Sequence, residues 1–253
     1  MGAIHTTHGL VVGLVFGAAV ALPARALACG ASAGGAAGVS ACSLSEHLES
    51  VRPRWRIGAG YAYTSTALRF GGDTRLDETR HIAFASLDYM ATPTWTFEGG
   101  VGSILGGGLR SAASEYKLSP GLLVSAGAAW RVLEADVARP FVVVTAQLAF
   151  VTSSTKDQAS PSADSVHYTA ADGRLGVSAG WPLWQTLTPY VLARAFGGPV
   201  FWEYQGVSQT GTDVHHYQIG GGFLLRLARV VDIFVEAVPL GEQGVSAGAG
   251  FVF

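Results

Sequence analysis

The sequence predicts a closed antiparallel transmembrane β-barrel of about ten strands, with eight or twelve strands as the alternatives. Hydrophobic residues make up 49% of the 253 residues and charged residues only 13%, against about 25% charged in soluble domains. Beyond residue 28, every apolar run is too short for a membrane helix. Bulky apolar residues instead alternate with Gly, Ser or charged residues, which is typical of strands with two different faces.

The first element is the apolar segment 9–22, whose length is that of a secretory signal-peptide core. Pro23 follows it, and the sequence 26–28 (Ala-Leu-Ala) has the form of an A-x-A cleavage site. The segment is also short for a membrane anchor. Residues 1–28 are therefore interpreted as a signal peptide that is cleaved on export, although no Lys or Arg precedes the apolar core.

Residues 29–53 are predicted to form a periplasmic lead-in. Gly, Ala and Ser dominate this segment, and such small residues cannot build a hydrophobic core. Cys29 and Cys42 are the two cysteines of the chain, and in an oxidising compartment they are expected to form one disulfide. Cys29 also stands where a lipoprotein cysteine would stand, so lipidation of Cys29 is the alternative.

The barrel is predicted to occupy residues 54–253, where ten stretches show the alternating pattern. These stretches are 55–66, 81–90, 95–105, 120–133, 140–152, 172–182, 189–202, 215–227, 231–240 and 244–253. The connections run alternately long and short along the chain, except that the last one, 241–243, is short where a long one is due. Long extracellular loops and short periplasmic turns are typical of membrane barrels.

The two faces of each predicted strand differ in the size of their side chains. In the stretch 120–133, Val124 and Trp130 fall on a bulky apolar face, whereas Ser125 and Arg131 fall on the opposite face. The second face is too small and too sparsely charged for a water-exposed exterior, so the bulky face is predicted to contact lipid. Aromatic residues near the strand ends are expected at the membrane interfaces. They are Trp55, Tyr61, Tyr63, Tyr89, Trp95, Trp130, Trp181, Phe201 and Tyr217.

The last stretch shows a family resemblance. Its apolar residues, Val245, Ala247, Ala249, Phe251 and Phe253, alternate with Ser246, Gly248, Gly250 and Val252. This strand resembles the terminal strand of bacterial outer-membrane proteins. The resemblance implies a location in the bacterial outer membrane, and it implies that Phe251 and Phe253 form the signal that the barrel-assembly machinery recognises.

The same phase of alternation turns a set of charged residues toward the lumen. They are Arg56, Asp88, Glu98, Arg131, Arg174, Arg194, Arg226 and Glu236. Ten strands enclose a narrow bore, which long Arg and Glu side chains are expected to occlude by pairing with one another. The function predicted first is therefore a structural or surface-interaction barrel, and the alternative is a narrow channel for small polar solutes.

A second alternative rests on Asp213, His215 and His216, near the outer rim. An Asp two residues before a His can hold the imidazole as a general base. The pair Asp213 and His215 resembles the Asp-x-His half-site of the omptin proteases, which implies a rim hydrolase. The loop 106–119 offers only Glu115 where omptins have an acidic pair, and strict alternation points His215 toward lipid and His216 inward.

Composition also limits the partners. A formal net charge of −2 gives no support to nucleic-acid binding. No cofactor or metal site is predicted, because the sequence shows neither a phosphate-binding glycine loop nor a cysteine metal motif. The predicted partners are the lipid bilayer with its outer-membrane lipids and the barrel-assembly machinery. The outer loops are the expected surface for an extracellular partner, but their residues do not identify it.

Overall fold

The computed structural model describes residues 54–71, 74–111, 114–134, 139–159, 165–183, 186–204, 207–227 and 230–253. The predicted signal peptide and the lead-in with Cys29 and Cys42 lie outside the described residues. Within the described ranges, no helix is long and apolar enough to cross a membrane.

The described part of the chain is built of antiparallel strands. They are β1 (Arg54–Phe70), β2 (Thr74–Met90), β3 (Trp95–Arg110), β4 (Glu115–Leu118), β5 (Gly121–Leu133), β6 (Phe141–Asp157), β7 (Val166–Gly180), β8 (Leu187–Gly197), β9 (Val200–Tyr204), β10 (Val207–Asp213), β11 (Tyr217–Leu227), β12 (Val231–Gly241) and β13 (Gln243–Val252).

Ten of these strands close into a ring. The order around the ring is β1, β2, β3, β5, β6, β7, β8, β11, β12 and β13. The last strand pairs back with the first, from Arg56 opposite Val252 to Ser65 opposite Gln243. Closure pairs the backbone groups that an open sheet edge would expose to lipid. The prediction of a closed antiparallel barrel of about ten strands is confirmed.

A smaller ring continues the barrel at the end away from Arg54 and Val252. Here β4 lies between β3 and β6, and the β9–β10 hairpin lies between β7 and β1. The far ends of β1, β2, β3, β6 and β7 complete this ring of eight strands. The bore narrows because β5, β8, β11, β12 and β13 stop below it. We call this eight-stranded end the outer cap.

The outer cap corrects the prediction of long loops, because much of the sequence assigned to them is strand. The stretches concerned are 67–80, 106–119, 153–171 and 203–214. They alternate too, but with the polarity reversed, since Leu76 is buried while its neighbours Arg75 and Asp77 are exposed. The predicted strand 189–202 is likewise two strands, β8 and β9, which are separated by Gly198 and Pro199.

In the ten-stranded part, the bulky apolar side chains face outward as predicted. Val124, Trp130, Phe223 and Phe251 are each between 41% and 44% exposed. The interior differs from the prediction in one respect: large apolar side chains such as Leu123, Leu192 and Phe234 also point inward and are buried. Successive side chains of a strand point to opposite faces, so the position of each of these three residues in its strand, and not its polarity, directs it inward.

Aromatic residues mark both edges of the apolar exterior, which we call the apolar belt. At the periplasmic edge, Trp55 packs against Tyr89 with ring centroids 4.6 Å apart, and Trp95 stacks on Trp130 at 6.0 Å. At the other edge, Tyr61 and Tyr63 flank His81. The exterior beyond this second edge belongs to the outer cap and is polar. Its exposed charged residues include Arg69, Arg75, Asp77, Arg110, Lys117, Lys156 and Glu203. The outer cap therefore stands outside the hydrocarbon layer.

Candidate functional site in the barrel interior

Two ion pairs occupy the interior near the periplasmic end. Arg56 on β1 and Asp88 on β2 lie in register, and their side chains, both 0% exposed, approach to 3.3 Å. On the other side of β13, the Arg226 Nε and the Asp232 carboxylate are 3.7 Å apart. Gly250 on β13 separates the two pairs, and the Arg56 guanidinium lies over its Cα. Three of the four residues belong to the predicted lumen set, and Asp232 joins them.

Glu98 and Arg131 complete the interior at this end. Both belong to the predicted lumen set, and both are buried, at 6% and 7% exposure. Glu98 on β3 lies against Gly127 of β5, so the missing side chain of the glycine leaves room for the glutamate. Gln147 on β6, which is in register with Gly127, is also buried. Polar side chains therefore enter the interior from this wall as well.

A bidentate ion pair spans β11 on the inner wall of the barrel. Arg194 on β8 donates two hydrogen bonds of 2.9 Å to the carboxylate of Glu236 on β12, and both side chains are 1% exposed. The Tyr190 hydroxyl donates a third hydrogen bond to Glu236, at 3.1 Å. Charge-assisted bidentate pairs of this kind satisfy the polar groups that burial would otherwise leave without partners.

The same network continues toward the outer end. The Gln218 amide links the two parts, because its oxygen accepts from Arg194 at 3.4 Å and its nitrogen donates to Glu242 at 2.9 Å. Glu242 in turn lies 3.0 Å from Arg174 on β7, which also pairs with Asp172 at 2.7 Å. The network thus joins four neighbouring strands and the tip of the β12–β13 hairpin. We call it the interior network, and it comprises Tyr190, Glu236, Arg194, Gln218, Glu242, Arg174 and Asp172.

Beneath the outer cap lies a small cavity with acidic and basic walls. Its volume is about 30 Å³, which is room for a few waters at most. Glu78 and Arg80 approach to 3.3 Å on its β2 side, and Asp213 of β10 accepts a hydrogen bond of 3.0 Å from the Thr66 hydroxyl. Burial, reinforced by the neighbouring Glu242 carboxylate and opposed by Arg80, raises the pKa of Asp213 to about 6.

The interior of the outer cap is an apolar core. Nearly every strand of the ring contributes a buried apolar side chain to it, and the largest is Trp202 of β9. The Trp202 ring packs against Phe70 at 5.5 Å and against Tyr116 at 5.0 Å, while its Nε1 donates to the Thr155 hydroxyl at 2.9 Å. We call this cluster the cap core. It comprises Leu68, Phe70, Leu76, Leu109, Leu118, Tyr168, Val200 and Trp202.

The rim residues Asp213, His215 and His216 do not come together as a catalytic group. The Asp213 side chain faces inward toward Thr66, whereas the His215 ring packs edge-on against Tyr217. His216, which strict alternation pointed inward, is exposed. That expectation is wrong because residues 214–216 cross from β10 to β11 outside any strand, where alternation does not apply.

Several polar residues of the interior were missed by the sequence analysis. Asp232 could have been found, because it lies four residues before the predicted Glu236 on the same face of β12. Glu78 and Arg80 share a face of β2 in the stretch that was predicted to be a loop. Glu242 lies in the tight β12–β13 connection, where no periodic pattern indicates the direction of a side chain.

The two phenylalanines of the last strand point outward. Phe251 is 41% exposed and Phe253 is 55% exposed. The backbone of Phe253 exchanges two hydrogen bonds with Trp55, of 3.0 and 3.2 Å. The end of the chain thus closes the ring beside the first described strand.

No protein-family profile and no curated protein sequence matches the chain. Solved structures do match it. The outer-membrane protease OmpT from Escherichia coli has a TM-score of 0.50 and 9% identity, with 83% of this chain and 100% of that chain covered. The translocator domain of the autotransporter NalP from Neisseria meningitidis has a TM-score of 0.45 and 11% identity, with coverages of 82% and 90%. Ail from Yersinia pestis has a TM-score of 0.36 and 12% identity, with coverages of 80% and 99%.

The fold and the distribution of side chains define the class of protein. A closed ring of ten strands, an apolar belt edged by aromatic residues and a buried polar interior are the features of an outer-membrane β-barrel protein of Gram-negative bacteria. The protein is located in the bacterial outer membrane, where the belt contacts lipid.

Proposed function

We propose that the protein is a non-conducting outer-membrane scaffold that acts in structure and surface interaction. The observation that carries the proposal is that two unlike groups of buried side chains lie in series along the bore, and we interpret both as seals. The interior network lies within the membrane-spanning part, and the cap core fills the outer end. A polar solute would have to separate the paired charges and then enter an apolar core.

Physical reasoning supports a closed bore at both levels. An eight-stranded ring is just wide enough for its own side chains to fill it, and the large inward residues of the outer cap are suited to do so. An apolar constriction also excludes water from a pore. Within the membrane, separating Arg194 from Glu236 to let a solute pass would leave two unpaired charges in a narrow, poorly hydrated space. These arguments favour the scaffold over the narrow channel.

The outer cap is well suited to surface interaction. Its ring is closed by backbone pairing and filled by an apolar core, so it holds the connections at its tip on a rigid support. Connections on a rigid scaffold commonly carry recognition. The polar exterior of the outer cap projects this surface beyond the apolar belt, where an extracellular partner can reach it.

Planar-bilayer recording tests the proposal. The purified protein is expected to add no conductance steps at any voltage. Removing both seals, in the double variant Trp202→Ala with Arg194→Ala, is expected to produce measurable current. The control is Phe201→Ala combined with Arg194→Ala, because Phe201 is the outward neighbour of Trp202 and is 46% exposed. Regular conductance steps from the unaltered protein would contradict the scaffold and favour the channel.

The rim hydrolase has weaker support than either the scaffold or the narrow channel. A general base needs its carboxylate and imidazole in contact, but Asp213 binds Thr66 inside the outer cap. The likeness to an outer-membrane protease is one of fold at 9% identity, and fold alone does not transfer an activity.

We further propose that Phe251 and Phe253 form the signal recognised by the barrel-assembly machinery. Their exposure on the lipid-facing side of β13 leaves both rings accessible before the barrel closes. Replacing Phe253 with Ala should lower the amount of folded barrel in the outer membrane, while the purified variant should still refold in detergent. Equal amounts of both proteins in the membrane would overturn this proposal.

A further inference from the structure

A groove interrupts the apolar belt on the outside of the barrel. It has a volume of about 350 Å³ and lies where the β12–β13 hairpin approaches its tip. Its floor is the cross-strand pair of Val238 and Gly244. The outward side chains of Ala237 and Val245 line it, and Tyr63 of β1 stands at its border.

The groove has a local structural cause. One row across the sheet runs from Tyr63 through Val245, Ala237 and Gly221 to Val191. Ala237 carries only a methyl group and its cross-strand neighbour Gly221 has no side chain, whereas the Tyr63 ring stands at the border of the groove. A register shift between β11 and β12 beside Gly221 gives β12 one additional residue near Pro239. The wall is therefore recessed at this position.

We propose that this groove binds one acyl chain of a phospholipid as a specific site. The groove is continuous with the apolar belt, which already contacts acyl chains, so its occupant enters directly from the bilayer. Its volume lies within the range of small-ligand sites, about 300–1,000 Å³. The groove is open toward the bilayer, so an acyl chain that lies in it contacts wall atoms on its inner side, and these dispersion contacts add up along the chain.

The polarity of the groove favours a lipid over a second protein. Gln243 stands at its outer end and donates a hydrogen bond of 3.3 Å to the Pro239 carbonyl. The lining below Gln243 is apolar. The lining of the groove thus changes from apolar to polar toward Gln243. This matches a lipid whose acyl chain lies along the apolar lining and whose head group lies beside Gln243.

Native mass spectrometry of the full chain tests the site. Delipidated protein in mild detergent is titrated with dioleoylphosphatidylethanolamine, and one lipid is expected to bind more tightly than the rest. The variant Ala237→Phe fills the groove and should weaken this first binding by about tenfold. The matched control is Ala126→Phe, which adds the same ring to another exposed position of the belt, on β5, and should bind as the unaltered protein does.

Several outcomes would overturn the inference. Absence of a distinct first lipid, equal binding by both variants, or equal weakening by both variants would show that the groove is not a specific site. A dimer of the unaltered protein that is lost only in Ala237→Phe would assign the groove to a second copy of the chain instead. Both variants place a phenylalanine on a lipid-facing surface, so folding is expected to be retained and is checked by the heat-dependent shift of the band in gel electrophoresis.

Discussion

Arg194 and Glu236 form two parallel hydrogen bonds of 2.9 Å across a strand that separates them, since β11 lies between β8 and β12. Backbone pairing joins only neighbouring strands, so this ion pair adds a link that the sheet does not provide. Gln218 on the intervening strand accepts from the same guanidinium. The interior network therefore braces this wall of the barrel as well as filling the bore.

Removing one partner of this pair should destabilise the barrel strongly. Arg194→Ala leaves the Glu236 carboxylate buried without its cation, and such a loss typically costs about 3–5 kcal/mol. The free energy of unfolding in detergent, followed by tryptophan fluorescence against urea, measures the effect. The double variant Arg194→Met with Glu236→Leu should regain most of the stability, because neither position then holds a buried charge without its partner. A single variant as stable as the unaltered protein would refute the bracing role.

Gly250 should tolerate no side chain. A Cβ at this position would clash with the guanidinium of Arg56, which is buried and paired with Asp88. Gly250→Ala should therefore lower the free energy of unfolding by about 1–3 kcal/mol, since the overpacked guanidinium must shift. Gly99→Ala is the control, because nothing lies within 4 Å of a Cβ there. Equal thermal stability of the two variants would show that Arg56 moves aside without cost.

The cap core should stabilise the outer cap. Trp202→Ala removes the ring that contacts Phe70 and Tyr116, and truncation of a buried aromatic residue costs about 3–5 kcal/mol. Limited proteolysis of the reconstituted protein should then cut the segment around β9 and β10 faster, while the ten-stranded part stays protected. Phe201→Ala should leave the cleavage rate close to that of the unaltered protein. Unchanged proteolysis of Trp202→Ala would count against a packed outer cap.

Acidification should stabilise the outer cap through Asp213, which lies outside the apolar belt. Its pKa in the folded protein is about 6, above its ordinary value of 3.8, because burial disfavours the charged carboxylate. The ionised form therefore opposes folding at neutral pH, and this unfavourable contribution disappears as the pH falls from about 6 to about 4. The unaltered protein should gain resistance to proteolysis over this window relative to Asp213→Asn, in which position 213 no longer titrates. Parallel pH profiles of the two proteins would contradict the assignment.

The alternation of residues along each strand was sufficient to predict the ten-stranded part of the fold. Val124, Trp130, Phe223 and Phe251 alternate with smaller or charged neighbours, and a strand converts that alternation directly into an outer and an inner face. The same phase predicted an inward direction for the charges, and Arg56, Glu98 and Arg194 are buried in the structure. Period and composition are properties of a single strand, and they need no knowledge of its neighbours.

The outer cap could not be predicted in this way. Leu76 and Trp202 alternate with polar residues as the belt residues do, but their apolar face points inward because water, not lipid, surrounds that end. The medium outside each level of the barrel is not encoded in the period of the sequence. The ten-stranded part and the outer cap therefore share the same alternating sequence pattern, but their apolar faces point in opposite directions, outward in the first and inward in the second.

The sequence by itself determined that the chain forms a membrane barrel, roughly where ten of its strands lie and which residues face inward along them. Only the tertiary structure decided which inward charges meet, that Asp213 binds Thr66 rather than His215, and that an eight-stranded apolar core closes the outer end. The physical reason is that the face on which a residue lies is a local property of its strand, whereas its partners are set by which strands pair. Pairing with β11 places β8 and β12 within side-chain reach of each other, and the outer cap brings β10 beside β1.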